Sequence, residues 1–204
     1  MNGRYLVNEW FYSLQGEGVR AGEPSLFVRF SKCNMECRGE PGPRSPGGFD
    51  CDTEFESGRW IELDELAVAL KEAGPNCEWA VLTGGEPAMQ VDDCLIDRLH
   101  AEGYRLAIET NGSLALPSGL DWVTVSPKVA EHAVRQRVAT EVKYVRCYGQ
   151  AVPRTVVRAD HYLISPAFNG TELDARTLDW CIRLCKDNPP WRLTVQQHKL
   201  YGIL

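Results

Sequence analysis

The chain has 204 residues, with 44% hydrophobic and 25% charged side chains and a formal net charge of −6. These values are typical of one soluble globular domain with a sizeable core. The acidic balance argues against a protein that binds nucleic acid independently of its sequence, because such a protein needs a basic surface. No apolar stretch approaches the length that crosses a membrane, so we expect no membrane partner.

The eight cysteines of the chain could indicate a disulfide-rich secreted protein, but its first segment favours another interpretation. Met1–Arg4 leads into a strand-like segment that contains Asn8 and Glu9, where an exported protein would have an apolar signal core. We therefore expect reduced thiols and a cytoplasmic location.

The first predicted strand, Tyr5–Phe11, is followed by the polar turn Tyr12–Gly18. Gly16 and Gly18 would let backbone groups approach a ligand closely, and Gln15 and Glu17 would supply polar ends. Taken alone, this segment is more typical of an ordinary surface turn.

Three cysteines follow the second strand-like segment, Ser25–Phe30. Cys33 and Cys37 come directly after it, and Cys51 follows a segment rich in Gly and Pro. Three thiolates from one loop can hold an iron–sulfur cluster or a catalytic metal and leave a coordination position open. The spacing alone is equally compatible with a structural zinc that takes a fourth ligand from elsewhere, or with unconnected buried thiols.

Helical patterns and short apolar strands alternate along the rest of the chain. The helices are predicted at Ile61–Ala73, at Val91–Glu102 and from about Leu173 to Lys186, and the strands at Trp79–Leu82, Tyr104–Ile108, Trp122–Val125, Glu141–Val145, Tyr162–Ile164 and Arg192–Val195. This alternation predicts an α/β fold with a parallel sheet. Because a complete eightfold barrel needs about 250 residues, we predict a partial, strongly curved (β/α) barrel. It would have about six parallel strands, three main helices and the cysteine loop after an early strand, all in one domain.

Small or polar residues follow every predicted core strand from Trp79 onward. These segments begin at Thr83, Glu109, Ser126, Ser165 and Gln196. Ligands of parallel α/β folds bind at the carboxyl ends of the strands. One polar strand end is ordinary, but five in succession, together with the cysteine loop, predict a single shared site.

Several segments, in this order, resemble one enzyme family. They are Tyr12–Gly18, Cys33-x-x-x-Cys37, Cys51-Asp52-Thr53, Thr83–Pro87, Glu109–Ser113, Ser126–Lys128 and Trp191–Lys199. The chain is similar to the radical S-adenosylmethionine enzymes and, among them, to the 7-carboxy-7-deazaguanine synthases. The resemblance extends over essentially the whole chain.

This resemblance implies three cofactors: a 4Fe–4S cluster, S-adenosylmethionine and Mg²⁺. Cys33, Cys37 and Cys51 would hold the cluster, and the hydroxyl of Thr53 would bind Mg²⁺ as a hard oxygen ligand. The implied cofactor contacts are Asp50, Cys51, Asp52, Gly84, Gly85, Glu86, Ser126, Pro127, Lys128, Ser165, Pro166, Ala167 and Phe168. The two glycines would leave room for the methionine part of the cofactor.

The implied reaction converts 6-carboxy-5,6,7,8-tetrahydropterin to 7-carboxy-7-deazaguanine with loss of ammonia, a step of queuosine biosynthesis. Arg29 suits the substrate carboxylate, because its guanidinium pairs with carboxylates through two hydrogen bonds. The implied substrate contacts are Leu14, Gln15, Gly16, Glu17, Arg29, Thr83, Glu109, Asn111, His198 and Leu204, the last through its terminal carboxylate.

The resemblance also implies a homodimer and an external electron donor such as flavodoxin or ferredoxin. The chain departs from the family pattern at one place, because thirteen residues separate Cys37 from Cys51. The family commonly has two residues there, or a different expanded spacing of all three cysteines. Two alternatives are an activating enzyme that makes a glycyl radical on a partner protein, and a zinc-stabilised binding module without catalysis. The polar strand ends favour a small polar substrate over a protein loop.

Overall fold

A nine-stranded sheet forms the centre of the protein, seen here in a computed structural model that describes residues 3–39, 51 and 53–203. The strands are β1 (Arg4–Leu14), β2 (Pro24–Phe30), β3 (Arg59–Glu62), β4 (Trp79–Gly84), β5 (Arg105–Thr110), β6 (Trp122–Val125), β7 (Val138–Arg146), β8 (Arg158–Pro166), β9 (Phe168–Asn169), β10 (Glu172–Leu173) and β11 (Trp191–Leu193). The helices are α1 (Leu63–Ala73), α2 (Asp93–Ala101), α3 (Ala175–Asp187) and α4 (Gln197–Tyr201). Strands β9 and β10 form a separate hairpin.

The strand order of the large sheet is β11-β8-β7-β6-β5-β4-β2-β1-β3. Neighbouring strands from β2 to β11 run parallel, whereas β1 is antiparallel to both β2 and β3. Within the described residues β3 and β11 are the two edges, so the sheet is not a closed barrel. The predicted α/β class with a curved, mostly parallel sheet is therefore confirmed.

The residues of β2 alternate between the two faces of the sheet. Leu26, Val28 and Phe30 are buried in the cluster that also contains apolar residues of α1 and α2. Phe27 and Arg29 point to the opposite face, where they line a cavity. The two helices therefore cover the convex side of the sheet and leave the concave side to the site.

The turn after β1 shows how strongly the sheet curves. The backbone N–H of Val19 in this turn donates to Glu141 of β7 over 3.0 Å, and Lys143 of β7 donates to Glu17. In the sheet order β2, β4, β5 and β6 lie between β1 and β7. Residues so far apart in the sheet can meet only if the strands wrap around a common centre.

Short elements account for the differences from the predicted boundaries. Ile61 was predicted to begin a helix, but it pairs with Tyr5 in β3, and the helix begins at Leu63. Helix α4 and the hairpin of β9 and β10 have too few residues to show a periodic pattern. Among the described residues, none of the helices combines the length and the apolar character needed to cross a bilayer.

Candidate active site

A cavity of about 270 Å³ lies on the concave face of the sheet. It is lined by ten residues that the sequence singled out, from segments spread along the chain: Leu14, Gln15, Gly16, Glu17, Arg29, Thr53, Thr83, Gly84, Glu109 and His198. It is also lined by Gln196, which begins one of the predicted polar strand ends, and by four residues that the sequence did not indicate as site residues: Phe11, Phe27, Lys199 and Ile203. The alternation of β2 could have indicated Phe27, because its neighbours on both sides face the core.

Glu109 connects three strand ends at the wall of the cavity. Its Oε1 accepts a hydrogen bond from Gln15 Nε2 at 3.0 Å, and its Oε2 accepts one from Thr83 Oγ1 at 3.1 Å. Both donors are neutral groups, and each oxygen of this carboxylate can accept a further hydrogen bond. The arrangement suits a ligand that presents N–H groups.

Arg29 lies on a small aromatic surface beside this wall. Its guanidinium carbon is 5.1 Å from the centre of the Phe11 ring, and that ring stacks on Phe27 with 5.1 Å between centroids. Its Nε lies 3.4 Å from Oε1 of Glu9, which fixes one side of the guanidinium. A fixed guanidinium at a cavity wall suits the binding of a carboxylate.

Glu17 lines the cavity from the turn after β1, and both of its carboxylate oxygens accept hydrogen bonds. The donors are Nζ of Lys143 and, at 3.0 Å, Nε2 of Gln196. Burial opposes ionisation of this group, but the charge and the hydrogen bond of Lys143 outweigh it and hold the pKa of Glu17 below its ordinary value. Glu17 is therefore a carboxylate at neutral pH.

The three predicted cluster ligands are brought together around one loop. None of them forms a disulfide. The backbone N–H of Cys51 donates to the carbonyl of Cys37 at 3.3 Å, and that of Met35 donates to Sγ of Cys33 at 3.4 Å. Burial raises the pKa of the Cys33 thiol, and the nearby Cys37 and Cys51 raise it further.

The donor set of this loop consists of three free thiols, the ligand type of iron–sulfur clusters. Within the described residues no group of three or more His, Cys, Asp or Glu side chains has the spacing that holds one metal ion. A zinc site gathers its ligands around one point, whereas each thiolate of a 4Fe–4S cluster binds its own iron. Three cysteines from one loop would therefore suit a cluster by ligand type.

The Gly84-Gly85-Glu86 segment lies against the chain that leads into Cys33. Gly85 N donates to the carbonyl of Phe30 at 2.9 Å, and Glu86 N donates to that of Lys32 at 2.9 Å. A Cβ atom at Gly85 would overlap the Lys32 carbonyl. Glycine at position 85 is therefore required by the close approach of two backbone segments. This requirement is separate from the predicted one, which is to leave room for a cofactor.

Glu86 is fully buried and holds the ends of β4 and β5 together. Its carboxylate accepts from Ala88 N at 3.0 Å, Thr110 Oγ1 at 2.6 Å and Asn111 N at 2.7 Å. Burial raises the pKa of this group although these hydrogen bonds oppose the rise. The side chain does not line the cavity, and its contacts connect the segments that follow β4 and β5.

Asn111 lies between the cysteine loop and the Ser126-Pro127-Lys128 segment. Its Nδ2 donates to Oδ1 of Asn34 at 2.9 Å and lies 4.0 Å from Sγ of Cys33. Its carbonyl accepts from Lys128 N at 3.2 Å. We expected this side chain among the substrate contacts, but it is directed to the cysteine loop and is not among the residues that line the cavity.

The end of β8 contains a buried hydroxyl that lacks a hydrogen-bond partner in the described part of the chain. Ser165 is 1% exposed, and within the described residues its Oγ has no hydrogen-bond partner. An unpartnered buried hydroxyl is costly unless a ligand satisfies it, so this position fits a polar cofactor group. The next residues lead to Phe168, whose ring centre is 5.3 Å from Nζ of Lys199 in α4. Asp50, Asp52 and Leu204 lie outside the described residues.

Similar proteins were found among curated sequences and solved structures, although no protein-family model matches the chain. The 7-carboxy-7-deazaguanine synthase of Bradyrhizobium diazoefficiens is 40% identical, over 98% of this chain and 99% of that protein. The protein of the same name from Bacteroides thetaiotaomicron is 41% identical over 97% of each chain. The crystal structure of QueE from Escherichia coli superposes with a TM-score of 0.70 over 96% of this chain and 95% of that one, at 24% identity, and supports the fold. Identity at this level over nearly the full length of both sequences means that the chain belongs to the 7-carboxy-7-deazaguanine synthase family.

Proposed function

We propose that the protein is a radical S-adenosylmethionine enzyme that converts 6-carboxy-5,6,7,8-tetrahydropterin to 7-carboxy-7-deazaguanine with loss of ammonia, a step of queuosine biosynthesis. The observation that carries this proposal is the cavity itself, which collects a guanidinium, two carboxylates and several neutral polar groups beside a loop with three thiols. A carboxypterin presents matching groups: one carboxylate, and a pyrimidine edge with adjacent N–H donors.

The residues of the cavity would bind and orient this substrate. Arg29 would pair with its carboxylate, and Glu17 and Glu109 would accept hydrogen bonds from its N–H groups. Phe11 and Phe27 would supply an apolar surface beside the ring. Thr53 would contribute a hydroxyl to Mg²⁺ bound next to the substrate.

The cofactors would lie on the cysteine side of the cavity. Cys33, Cys37 and Cys51 would hold a 4Fe–4S cluster, and S-adenosylmethionine would contact the remaining predicted segments: Asp50 and Asp52, Gly84–Glu86, Ser126–Lys128 and Ser165–Phe168. When bound, these two groups supply a 5′-deoxyadenosyl radical that abstracts a hydrogen atom from the substrate. The buried loops anchored by Glu86 would keep water away from that reaction.

We further propose a cytoplasmic homodimer that receives electrons from a flavodoxin or a ferredoxin. Neither nucleic acid nor a membrane is needed for this chemistry. The small polar cavity favours this activity over the activation of a glycyl-radical enzyme, which would have to admit a peptide loop.

The decisive test is anaerobic incubation of the reconstituted protein with reductant, S-adenosylmethionine and the carboxypterin. We expect mass spectrometry to detect 7-carboxy-7-deazaguanine. The protein should be brown, with the broad absorbance at about 400 nm that is typical of iron–thiolate ligation. The Cys51→Ala variant should lose both, because two thiolates cannot replace three. A colourless wild-type protein that retains one zinc ion after reconstitution would contradict the proposal.

The role of Thr53 can be tested separately. Replacing Thr53 by Ala removes a hard oxygen ligand but leaves the three thiols in place, so the variant should keep the cluster absorbance and need more Mg²⁺ for half-maximal rate. The measurement is initial rate against Mg²⁺ concentration. An unaltered Mg²⁺ dependence would refute the assignment.

A further inference from the structure

A buried ion pair lies behind the wall of the cavity, between Lys143 of β7 and Glu17 of the turn after β1. Nζ of Lys143 donates to the Glu17 carboxylate, and the two side chains are 11% and 15% exposed. Glu17 lines the cavity, whereas Lys143 does not. The lysine therefore supports a residue of the site from outside it.

The same face of β7 holds the rest of this turn. Residues two apart on a strand face the same side, so Glu141 and Lys143 both point to the turn. Glu141 is buried and accepts hydrogen bonds from Val19 N at 3.0 Å and from Thr124 Oγ1 at 2.8 Å. Thr194 Oγ1 accepts from Gly18 N at 2.9 Å. These contacts fix the backbone directly after position 17.

The charges around the pair favour the ionised form of both partners. Burial disfavours the ammonium of Lys143, but Glu17, Glu109 and Glu141 act in the opposite direction and raise its pKa above the ordinary value. Glu17 is influenced in turn by the charges of Lys143 and His198. Lys143 contributes most to the stabilisation of the ionised form of Glu17. Its removal would leave a buried carboxyl group, and burial favours the neutral acid.

We propose that Lys143 is a positioning residue for substrate recognition, which holds the Glu17 carboxylate at the cavity wall as an acceptor for the N–H groups of the pterin's pyrimidine edge. This inference rests on the proposed function. A carboxylate accepts hydrogen bonds at both oxygens, whereas a protonated acid donates from one of them. Loss of Lys143 would thus place a donor opposite the donors of the substrate.

The test uses the reconstituted holoenzyme and five variants. Lys143→Met removes the ammonium at similar volume, Lys143→Arg keeps the charge, and Glu17→Gln removes the acceptor charge directly. The double variant Glu17→Gln/Lys143→Met leaves no unpaired carboxyl at this position and remains informative if Lys143→Met fails to fold. Lys186→Met removes an exposed lysine of α3 and is the matched control.

We expect Lys143→Met and Glu17→Gln each to raise KM for the carboxypterin about 10- to 100-fold, the range for one lost charge-assisted hydrogen bond. The equilibrium dissociation constant for the carboxypterin, measured without S-adenosylmethionine, should rise in parallel, and kcat should change less. The double variant should match the Glu17→Gln single variant, because both act through one interaction. Lys143→Arg should restore part of the affinity, and Lys186→Met should behave as wild type.

The pH dependence separates this role from a merely structural one. The wild-type KM should be flat from about pH 8 to about pH 6, because the pKa of Glu17 is held below 4.5. In Lys143→Met the pKa of Glu17 should rise, because the favourable charge is lost. KM for the carboxypterin should then increase as the pH falls from about 8 to about 6, a range in which buried carboxyl groups can titrate. Glu17→Gln should show no such change.

Two results would overturn the inference. The first is that Lys143→Met has the same KM as the wild type, with no dependence on pH. The second is that the KM increases of the two single variants are additive in the double variant. In either case the wild-type enzyme would still form product, and the proposed function would stand. If wild-type holoenzyme neither binds nor converts the carboxypterin, the proposed function itself fails.

Discussion

Asn111 connects the two halves of the site through one side chain and one carbonyl group. Its Nδ2 hydrogen-bonds Asn34 and reaches Sγ of Cys33 at 4.0 Å, while its carbonyl accepts from Lys128 N. Hydrogen bonds to ligand sulfurs make the reduction potential of iron–sulfur clusters less negative. This amide is therefore placed to influence a cluster bound by Cys33.

We predict that Asn111→Asp makes the potential of the reconstituted cluster more negative by about 40 mV, equivalent to one hydrogen bond of about 1 kcal/mol in a one-electron couple. The carboxylate has nearly the same shape but replaces the N–H donor by a negative charge. The measurement is a redox titration followed by electron paramagnetic resonance. The control, Asn34→Ala, loses the partner amide but keeps the donor near the sulfur, so its potential should shift less. Equal shifts in both variants would mean that the potential changes because the cysteine loop moves, and not because the hydrogen bond to the sulfur is lost.

Helix α2 is tied to β1 at the scale of whole elements. Asp92 caps the helix by accepting from Leu95 N at 2.9 Å, and the same Oδ1 accepts from the buried Tyr5 hydroxyl at 2.7 Å. Asp174 caps α3 in a similar way, through Thr177 N at 2.9 Å and Arg176 N at 3.3 Å. Tyr5 makes the first cap different, because it joins the helix to the sheet.

We predict that Asp92→Ala lowers the free energy of unfolding by about 2–4 kcal/mol, because it removes a helix cap and leaves a buried hydroxyl without its partner. Urea unfolding measures the change. Adding Tyr5→Phe to this variant should recover part of the loss, since the hydroxyl is then absent. A loss no larger than that of Asp174→Ala would show that the Tyr5 contact contributes nothing.

The cap of α3 also predicts that the stability of the folded protein depends on pH. Hydrogen bonds from the side chain and backbone of Thr177 lower the pKa of Asp174 from its ordinary 3.8. Because the folded-state pKa is lower than the unfolded one, the stabilisation is present above pH 3.8 and is lost as the pH falls through the folded value. The difference in stability between wild type and Asp174→Ala should therefore shrink in acid.

At the scale of the molecule, the turn after β1 spans the mouth of the curved sheet. Gly18 has a φ of 76°, and a Cβ there would overlap the carboxylate of Glu141 on β7. Gly22, near the end of the same turn, has a φ of 91° but faces open space, with no atom within 4 Å of such a Cβ. Substitution of either glycine would therefore strain the backbone, but only a side chain at Gly18 would also disturb the contact across the sheet.

We predict that Gly18→Ala and Gly22→Ala each lose about 1–2 kcal/mol of stability through the left-handed backbone. Only Gly18→Ala should also weaken carboxypterin binding, because it pushes the Glu17 turn away from β7. Chemical unfolding and equilibrium binding test the two parts. Similar affinities in both variants would mean that contact across the sheet does not matter for the site.

Local patterns are enough to predict the main helices and strands and part of the cavity wall, whereas most of the other cavity residues named from the sequence came from the family resemblance. The periodicity of Ile61–Ala73 and Val91–Glu102 predicts two helices that lie close to the observed α1 and α2. The polar residues that follow apolar strands indicate Thr83 and Glu109, which line the cavity. These features depend on neighbours within a few residues, which is why a sequence reveals them. Short elements such as α4 do not contain enough turns to be recognised in this way.

The sequence by itself determined the α/β class, the order of the elements, the three-thiol loop and the chemical types that surround the cavity. Only the tertiary structure decided that Lys143 would meet Glu17, that Asn111 would face Cys33 and that Glu86 would be buried away from the cavity. The physical reason is distance along the chain: Lys143 and Glu17 are 126 residues apart. The curvature of the sheet, which sums small twists over many strands, is what brings them together.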